Sequence, residues 1–248
     1  MPPPTAGQRI DRLMESASRA LEDTHYWKVE RTAQQALELA RQAGDWLRMA
    51  RICLPLQEAR RQMRQLAFDA PGRFLVSRAE DVIEPIQPGV YLFQPPMTGM
   101  DARMLRDAMR DREIPSAILA REPLTRSGHW PVVATGRQIV RARVAPPKGV
   151  EPDKTVMTRD RFTGDLRSPE FRAWFESASE AVGDRAILEC KDMPAAERVD
   201  ALLDRLDAIS DHEKLQQALM SACEEAAKVP SLPTPRVGAP YAGRVPQA

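Results

Sequence analysis

The chain has 248 residues, 43% of them hydrophobic and 29% charged, with a formal net charge of +1. This balance belongs to ordinary globular proteins with enough apolar surface for a real core, in one large domain or two small ones. Charged residues interrupt every apolar run well short of the ~20 residues a spanning helix needs, which excludes a membrane-spanning segment.

The opening MPPPTAGQRI has no apolar stretch of the kind a secretory signal requires, so the expected location is the cytoplasm. Cys53, Cys190 and Cys223 are an odd number, widely spaced and set in apolar runs, and they read as reduced, buried thiols. Lysine stands at only six positions, so arginine supplies nearly all the positive charge on an alanine-rich background, a composition typical of GC-rich bacteria.

Residues 1–7 are expected to be disordered and 8–70 to be helical. Ile10, Leu13, Met14, Ala17 and Leu21 recur at helical spacing. Thr24 is placed to cap the next helix, whose stripe is Tyr26, Val29, Ala33, Ala36, Leu37 and Ala40. Gly44 offers the left-handed residue that ends a helix, and Asp45 an oxygen to cap the one starting at Trp46. Pro55 falls inside that third helix, where it removes a backbone hydrogen bond.

YWKVERTAQQALELARQAGD, from Tyr26 to Asp45, resembles the second helix and turn of a tetratricopeptide-type unit, with Ala36 and Leu37 at the small and large packing positions. WLRMARICLPLQEARR is similar to the first helix of a following unit, so the resemblance covers about Tyr26 to Arg61. It implies a helical hairpin whose concave face binds peptides.

Residues 71–148 change period. Short apolar runs at Phe74–Val76, Val90–Phe93, Ser116–Ala120, Pro131–Ala134 and Gln138–Val144 read as strands. A helix over Asp101–Glu113, with its stripe at Met104, Leu105, Ala108 and Met109, makes a βαβ unit of the second and third strands. Thr135 and Gly136 are expected to join the last two as a hairpin, with Gly136 at positive φ. Residues 149–228 read as a long polar loop followed by three helices. Ser168 and Pro169 open the first and Gly183 ends it; Ser210 and Glu213 are spaced as a capping box for the third. The proline-rich stretch 229–248 cannot repay the entropy of ordering and is expected to be disordered. The fold class is therefore α+β, with α/β as the alternative: a small mixed sheet flanked by an N-terminal helical hairpin and a C-terminal bundle.

Chemistry is sparse. Thr98, Gly99 and Asp101 lead from a strand into a helix, the place where an α/β enzyme holds a phosphate, with Asp101 read as the helix cap. Neither a G-x-G-x-x-G nor a G-x-x-x-x-G-K-[ST] pattern accompanies them. His212, Glu213 and Gln216 miss the zinc-protease pattern by one ligand. No cofactor, metal or catalytic residue is assigned. Between Arg121 and Lys148 six basic residues face one acid, whereas Glu151 to Lys228 carries eleven basic against eighteen acidic. Arg121, Arg126, Arg137, Arg141 and Arg143 are therefore candidates for an anion or RNA surface, with His129 and Trp130 as stacking groups, or for pairing with the acidic helices of the same chain. The second outcome is expected, and nucleic acid is not the expected partner. The leading functional expectation is a protein-interaction or adaptor module acting through its N-terminal helices. Its alternatives are a phosphate-binding enzyme at Thr98–Asp101 and an RNA binder at the basic hairpin.

Overall fold

The computed structural model describes residues 3–152 and 160–229. Among them it has an α+β fold of seven α-helices and a five-stranded mixed sheet. Helices α1 (Ala6–Glu22), α2 (Tyr26–Gln42) and α3 (Trp46–Asp69) pack in succession. Helix α1 starts two residues inside the stretch expected to be disordered, at Ala6, where Thr5 and Gln8 form a reciprocal capping box that satisfies the Thr5 and Gln8 N–H groups. Thr24 does not cap α2. It adopts φ 59°, and the bonds His25 N–H to Ala20 C=O (2.8 Å) and Thr24 N–H to Leu21 C=O (3.0 Å) close α1 in a Schellman turn. The α2–α3 joint repeats this geometry with Gly44 at φ 64°, and Asp45 accepts from Arg48 N–H as expected. Helix α3 passes through Pro55 as one 24-residue element. Alanines let the helices approach closely, and Ala36 and Leu37 are both buried.

Strands β1 (Gly72–Val76), β2 (Gly89–Phe93) and β3 (Ser116–Arg121) run parallel, while β4 (Trp130–Thr135) and β5 (Ile139–Val144) are antiparallel additions, in sheet order β1-β2-β3-β4-β5. Helix α4 (Gly99–Asp111) connects β2 to β3, completing the expected βαβ unit. Every residue of β2 is buried, as a continuous apolar run in a covered parallel strand requires. Its alternation divides the core: Val90 and Leu92 join the cluster shared with α3, whereas Tyr91 and Phe93 face the cluster formed with α4. The buried face of α4 is Ala102, Leu105 and Met109, and Met104, expected there, is exposed.

The polar segment expected to be a loop contains β6 (Val150–Pro152) and β7 (Asp160–Phe162), an antiparallel pair too short to read from periodicity. The hairpin joining β4 and β5 is present, but Gly136 is not in the positive-φ region. It is glycine for space: a Cβ there would run into the Ala208 backbone.

Helices α5 (Pro169–Cys190), α6 (Ala195–Leu206) and α7 (Glu213–Ala226) close the chain. Ser168 caps α5 by accepting from Phe171 N–H at 3.1 Å. The helix continues through Gly183 to Cys190, correcting the expected stop, because this glycine makes room for the His212 imidazole. His212 also displaces the expected Ser210–Glu213 box: its Nδ1 accepts from Leu215 N–H at 3.0 Å and caps α7. Helix α7 packs on α3 and α6, so one apolar cluster runs from Ile10 in α1 through the sheet to Ala226 in α7. No helix among the described residues is long and apolar enough to cross a membrane. The expectation of disorder for 229–248 falls, except for Val229, outside the described residues.

Gly183→Ala should lower stability by about 1–3 kcal/mol through overpacking in urea denaturation, despite the ~1 kcal/mol that alanine gains in an open helix. In a His212→Ala background the same change should be neutral or stabilising; a rise in the midpoint of the single variant would refute the steric role. Burial drives the thiols of Cys53 and Cys223 from an ordinary 9.0 to about 12. The native protein should therefore resist thiol reagents at pH 8 and react once unfolded. Its stability should decline as pH rises from the ordinary thiol value toward the native one, because only the unfolded thiols ionise in that window.

Candidate functional site

The chain leaves β2 through Gln94 and Pro95–Pro96 and enters α4 at Thr98. Thr98, not Asp101, is the cap. Asp101 is the third helical residue, and its Oδ2 accepts from both Thr98 N–H and Thr98 Oγ1–H at 2.7 Å, while Thr98 Oγ1 accepts from Asp101 N–H at 3.3 Å. These bonds hold the Asp101 carboxyl below its usual range. The seat an anion would take at this helix end is filled by the chain's own carboxylate. Gly99 is a packing residue, since a Cβ would stand 2.5 Å from Thr135 Oγ1. The crevice of about 420 Å³ outside this turn is walled by Pro95, Pro96, Pro123, Met97 and Ile139, with the Arg141–Glu122 ion pair (2.9 Å) at its edge. Thr98, Gly99 and Asp101 are thus brought together, but as a helix start.

The five arginines proposed from sequence do not form one surface. Arg121 is 1% exposed and Asp160 4%, with Nη1 2.7 Å from Asp160 Oδ2. That approach is an ion pair off the hydrogen-bond line; Nη2 makes the hydrogen bonds, to Gln94 Oε1 (2.7 Å) and to the Asp160 carbonyl (3.1 Å). The Asp160 carboxylate also accepts from Trp130 Nε1–H at 2.7 Å and from Leu124 N–H at 2.9 Å. Burial lowers the guanidinium's pKa while Asp160 acts to raise it. Arg121 lies over the Trp130 ring, 4.2 Å from its centroid, and Trp174 and Phe162 meet that ring edge-on. Neither Arg121 nor Trp130 is available to an external anion or base. Arg137 does meet the acidic helices: its N–H bonds Asp207 Oδ2 at 2.7 Å and its Nη1 stands 3.4 Å from Asp204 Oδ1. Arg141 pairs with Glu122, and among the described residues Arg126 and Arg143 make no ion pair.

Glu180, Asp184 and His212 bring three ligand-type atoms together, and His212 Nε2 is buried and lies 3.3 Å from Glu180 Oε2. The arrangement does not suit a cation. Because Nδ1 accepts the Leu215 N–H, a neutral ring carries its proton on Nε2, the nitrogen that would have to bind the metal. The Lys214 ammonium already stands 3.1 Å from Glu180 and 3.4 Å from Asp184.

Two concave features border the N-terminal helices, the region expected from sequence to meet a partner. A trough of about 760 Å³ runs between α1 and α2, with Leu13 and Leu39 in its floor and Arg9, Arg12 and Arg31 on its rim. A narrower cleft lies between α2, α3 and the α6–α7 link, lined by arginines of α3 and α4. Arg106 staples this region, donating to the carbonyls of Ala208 (2.5 Å), Asp207 (3.0 Å) and Thr135 (3.2 Å). Helical periodicity separates inward from outward faces, but it does not show which outward faces meet across a gap.

Asp160→Asn should destabilise the fold by about 3–5 kcal/mol, since it leaves a buried guanidinium uncompensated. An Arg121→Met, Asp160→Leu double variant should recover much of that loss in thermal or urea unfolding. Equal losses in both variants would show that the cost lies in the bonds Asp160 accepts from Trp130 and Leu124 and not in an unpaired Arg121. No protein-family model matches this chain, and none of the curated proteins or solved structures compared with it is a match.

Proposed function

We propose that the chain is a cytoplasmic protein-interaction module whose α1–α2 trough receives a peptide segment of a partner, one that combines acidic and apolar side chains. The observation that carries this reading is the trough itself, open along both helices, with half-buried Leu13 and Leu39 below and exposed Arg9 and Arg12 above. The leucines offer apolar area, and the arginines offer charge-assisted hydrogen bonds to carboxylates. Arg31 is engaged with Glu113 of the α4 end, while Arg9 and Arg12 make no ion pair among the described residues. The tetratricopeptide-like sequence of Tyr26–Arg61 supports the same reading, as does the self-satisfied Thr98–Asp101 turn, which removes the main support for a phosphate-handling enzyme there.

Peptides selected from a display library on the intact protein should be rich in Asp or Glu interspersed with Leu, Ile or Phe. Their amide-shift footprint should fall on α1 and α2. Arg9→Glu with Arg12→Glu should weaken the selected peptides about tenfold or more, mainly by slowing association. Selected peptides that map elsewhere, or that bind the reversed-charge variant equally well, would count against the trough.

A further inference from the structure

Arg60 and Arg64 lie four residues apart on α3, so their side chains share one face of the helix. Both are largely buried, 8% and 16% exposed, and both line the same cavity of about 90 Å³. Placing two guanidinium groups side by side out of water is costly unless anions face them. The compensation inside the protein is incomplete. Arg60 spends only its Nε–H, on Glu30 at 2.9 Å. Arg64 makes no hydrogen bond among the described residues; its nearest carboxylates, Asp211 and Glu180, stand at 3.6 Å and 3.8 Å.

Arg106 and Arg110 of α4 complete the wall, and four carboxylates stand beside the four arginines: Glu30 and Asp211 in the lining, with Glu180 3.8 Å from Arg64 and Asp107 3.1 Å from Arg110. Arg110 reaches only Asp107, at 3.1 Å, on its own helix. The cavity has room for several waters or one phosphoryl group. It adjoins a second pocket of about 290 Å³ that shares Arg60, Arg110 and Ser210, in which Leu37, Leu56, Leu203 and Leu206 alternate with polar residues such as Gln34, Arg41 and Asp207. A chamber whose guanidinium N–H groups are largely unspent in hydrogen bonds, next to a pocket with four leucines in its wall, has the chemistry of a headgroup and body site.

We propose that this cleft binds a small phosphomonoester, with its phosphoryl group against Arg60, Arg64 and Arg110 and its organic part against the leucines of the adjoining pocket. The guanidinium fork matches phosphate oxygens two at a time. The site is separate from the α1–α2 trough and does not depend on peptide binding there.

Phenyl phosphate is a suitable probe, measured by calorimetry and thermal shift on the full chain at low ionic strength. Saturable one-to-one binding is expected, with inorganic phosphate weaker because it leaves the leucines uncovered, and benzoate weaker because its carboxylate offers two acceptor oxygens against the phosphoryl group's three. Arg64→Met, which keeps the aliphatic stem, and Arg110→Gln should each lower affinity about tenfold or more. Arg19→Gln and the Arg9→Glu, Arg12→Glu variant should leave it unchanged. Should Arg64→Met fail to fold, Arg110→Gln, at a residue 35% exposed, decides the matter. No saturable binding of phenyl phosphate by about 10 mM, judged by ligand-linked stabilisation, overturns the site. So does binding that survives both arginine substitutions.

Discussion

Arg121 and Asp160 form a buried ion pair that joins three parts of the chain that have nothing in common locally. Arg121 ends β3, Trp130 begins β4, and Asp160 begins β7, across a segment that is polar in sequence. Desolvating two ions offsets much of their attraction, so the pair adds little to net stability by itself. Its leverage lies in the cost of any arrangement that leaves either ion unpaired. Trp130 Nε1–H and Leu124 N–H bond the carboxylate and Gln94 bonds Arg121 Nη2, while the indole covers a guanidinium whose Nε and Nη1 make no hydrogen bond among the described residues. With Asp160 held there, Phe162 reaches the aromatic group of Trp130, Phe171 and Trp174 that seats α5 on the sheet.

The C-terminal helices are registered by shape as much as by charge. At one end of α6 the β4–β5 hairpin approaches so closely that only glycine fits at position 136, and Arg106 ties the same backbone to α4 through three carbonyls. Across the bundle, Gly183 leaves a notch for His212, whose other ring nitrogen starts α7. Each contact joins residues distant in sequence, and each uses backbone or a rigid ring, which yields little to strain. The same closure brings α7 onto α3 and leaves the arginine-lined cleft between α3, α4 and the α6–α7 link.

For function, the distinction that matters is between charges already answered inside the protein and charges that are not. The Thr98–Asp101 turn, Arg121 and the Glu180–Asp184–His212 group all look reactive as residue types, yet each is paired with or enclosed by neighbours in a way that closes it to an external ligand. Arg9 and Arg12 at the trough and Arg60 and Arg64 in the cleft differ, because their donors outnumber the acceptors around them. Both proposals rest on that surplus.

Local physics was sufficient for much of the architecture. The helical stripes, the Gly44 turn and the Asp45 and Ser168 caps are set by contacts within a few residues, and the five main strands and the βαβ unit are marked by apolar runs and their order along the chain. Near the limit of that information the readings fail in a consistent way. Thr24 could end one helix or start the next, and Gly136 and Gly183 could turn the chain or admit a neighbour. The spacing of Arg60 and Arg64 puts them on one helix face, but nothing in α3 foretells that Arg110 and Ser210 will stand opposite. Whether Arg121 is a surface cation or a core ion depends on an aspartate 39 residues away. The sequence alone therefore determined most of the elements, since those depend on neighbours along the chain, but not the α5 end or the β6–β7 pair. Tertiary structure decided which polar groups are spent and which remain for a ligand, since that depends on partners brought together only by folding.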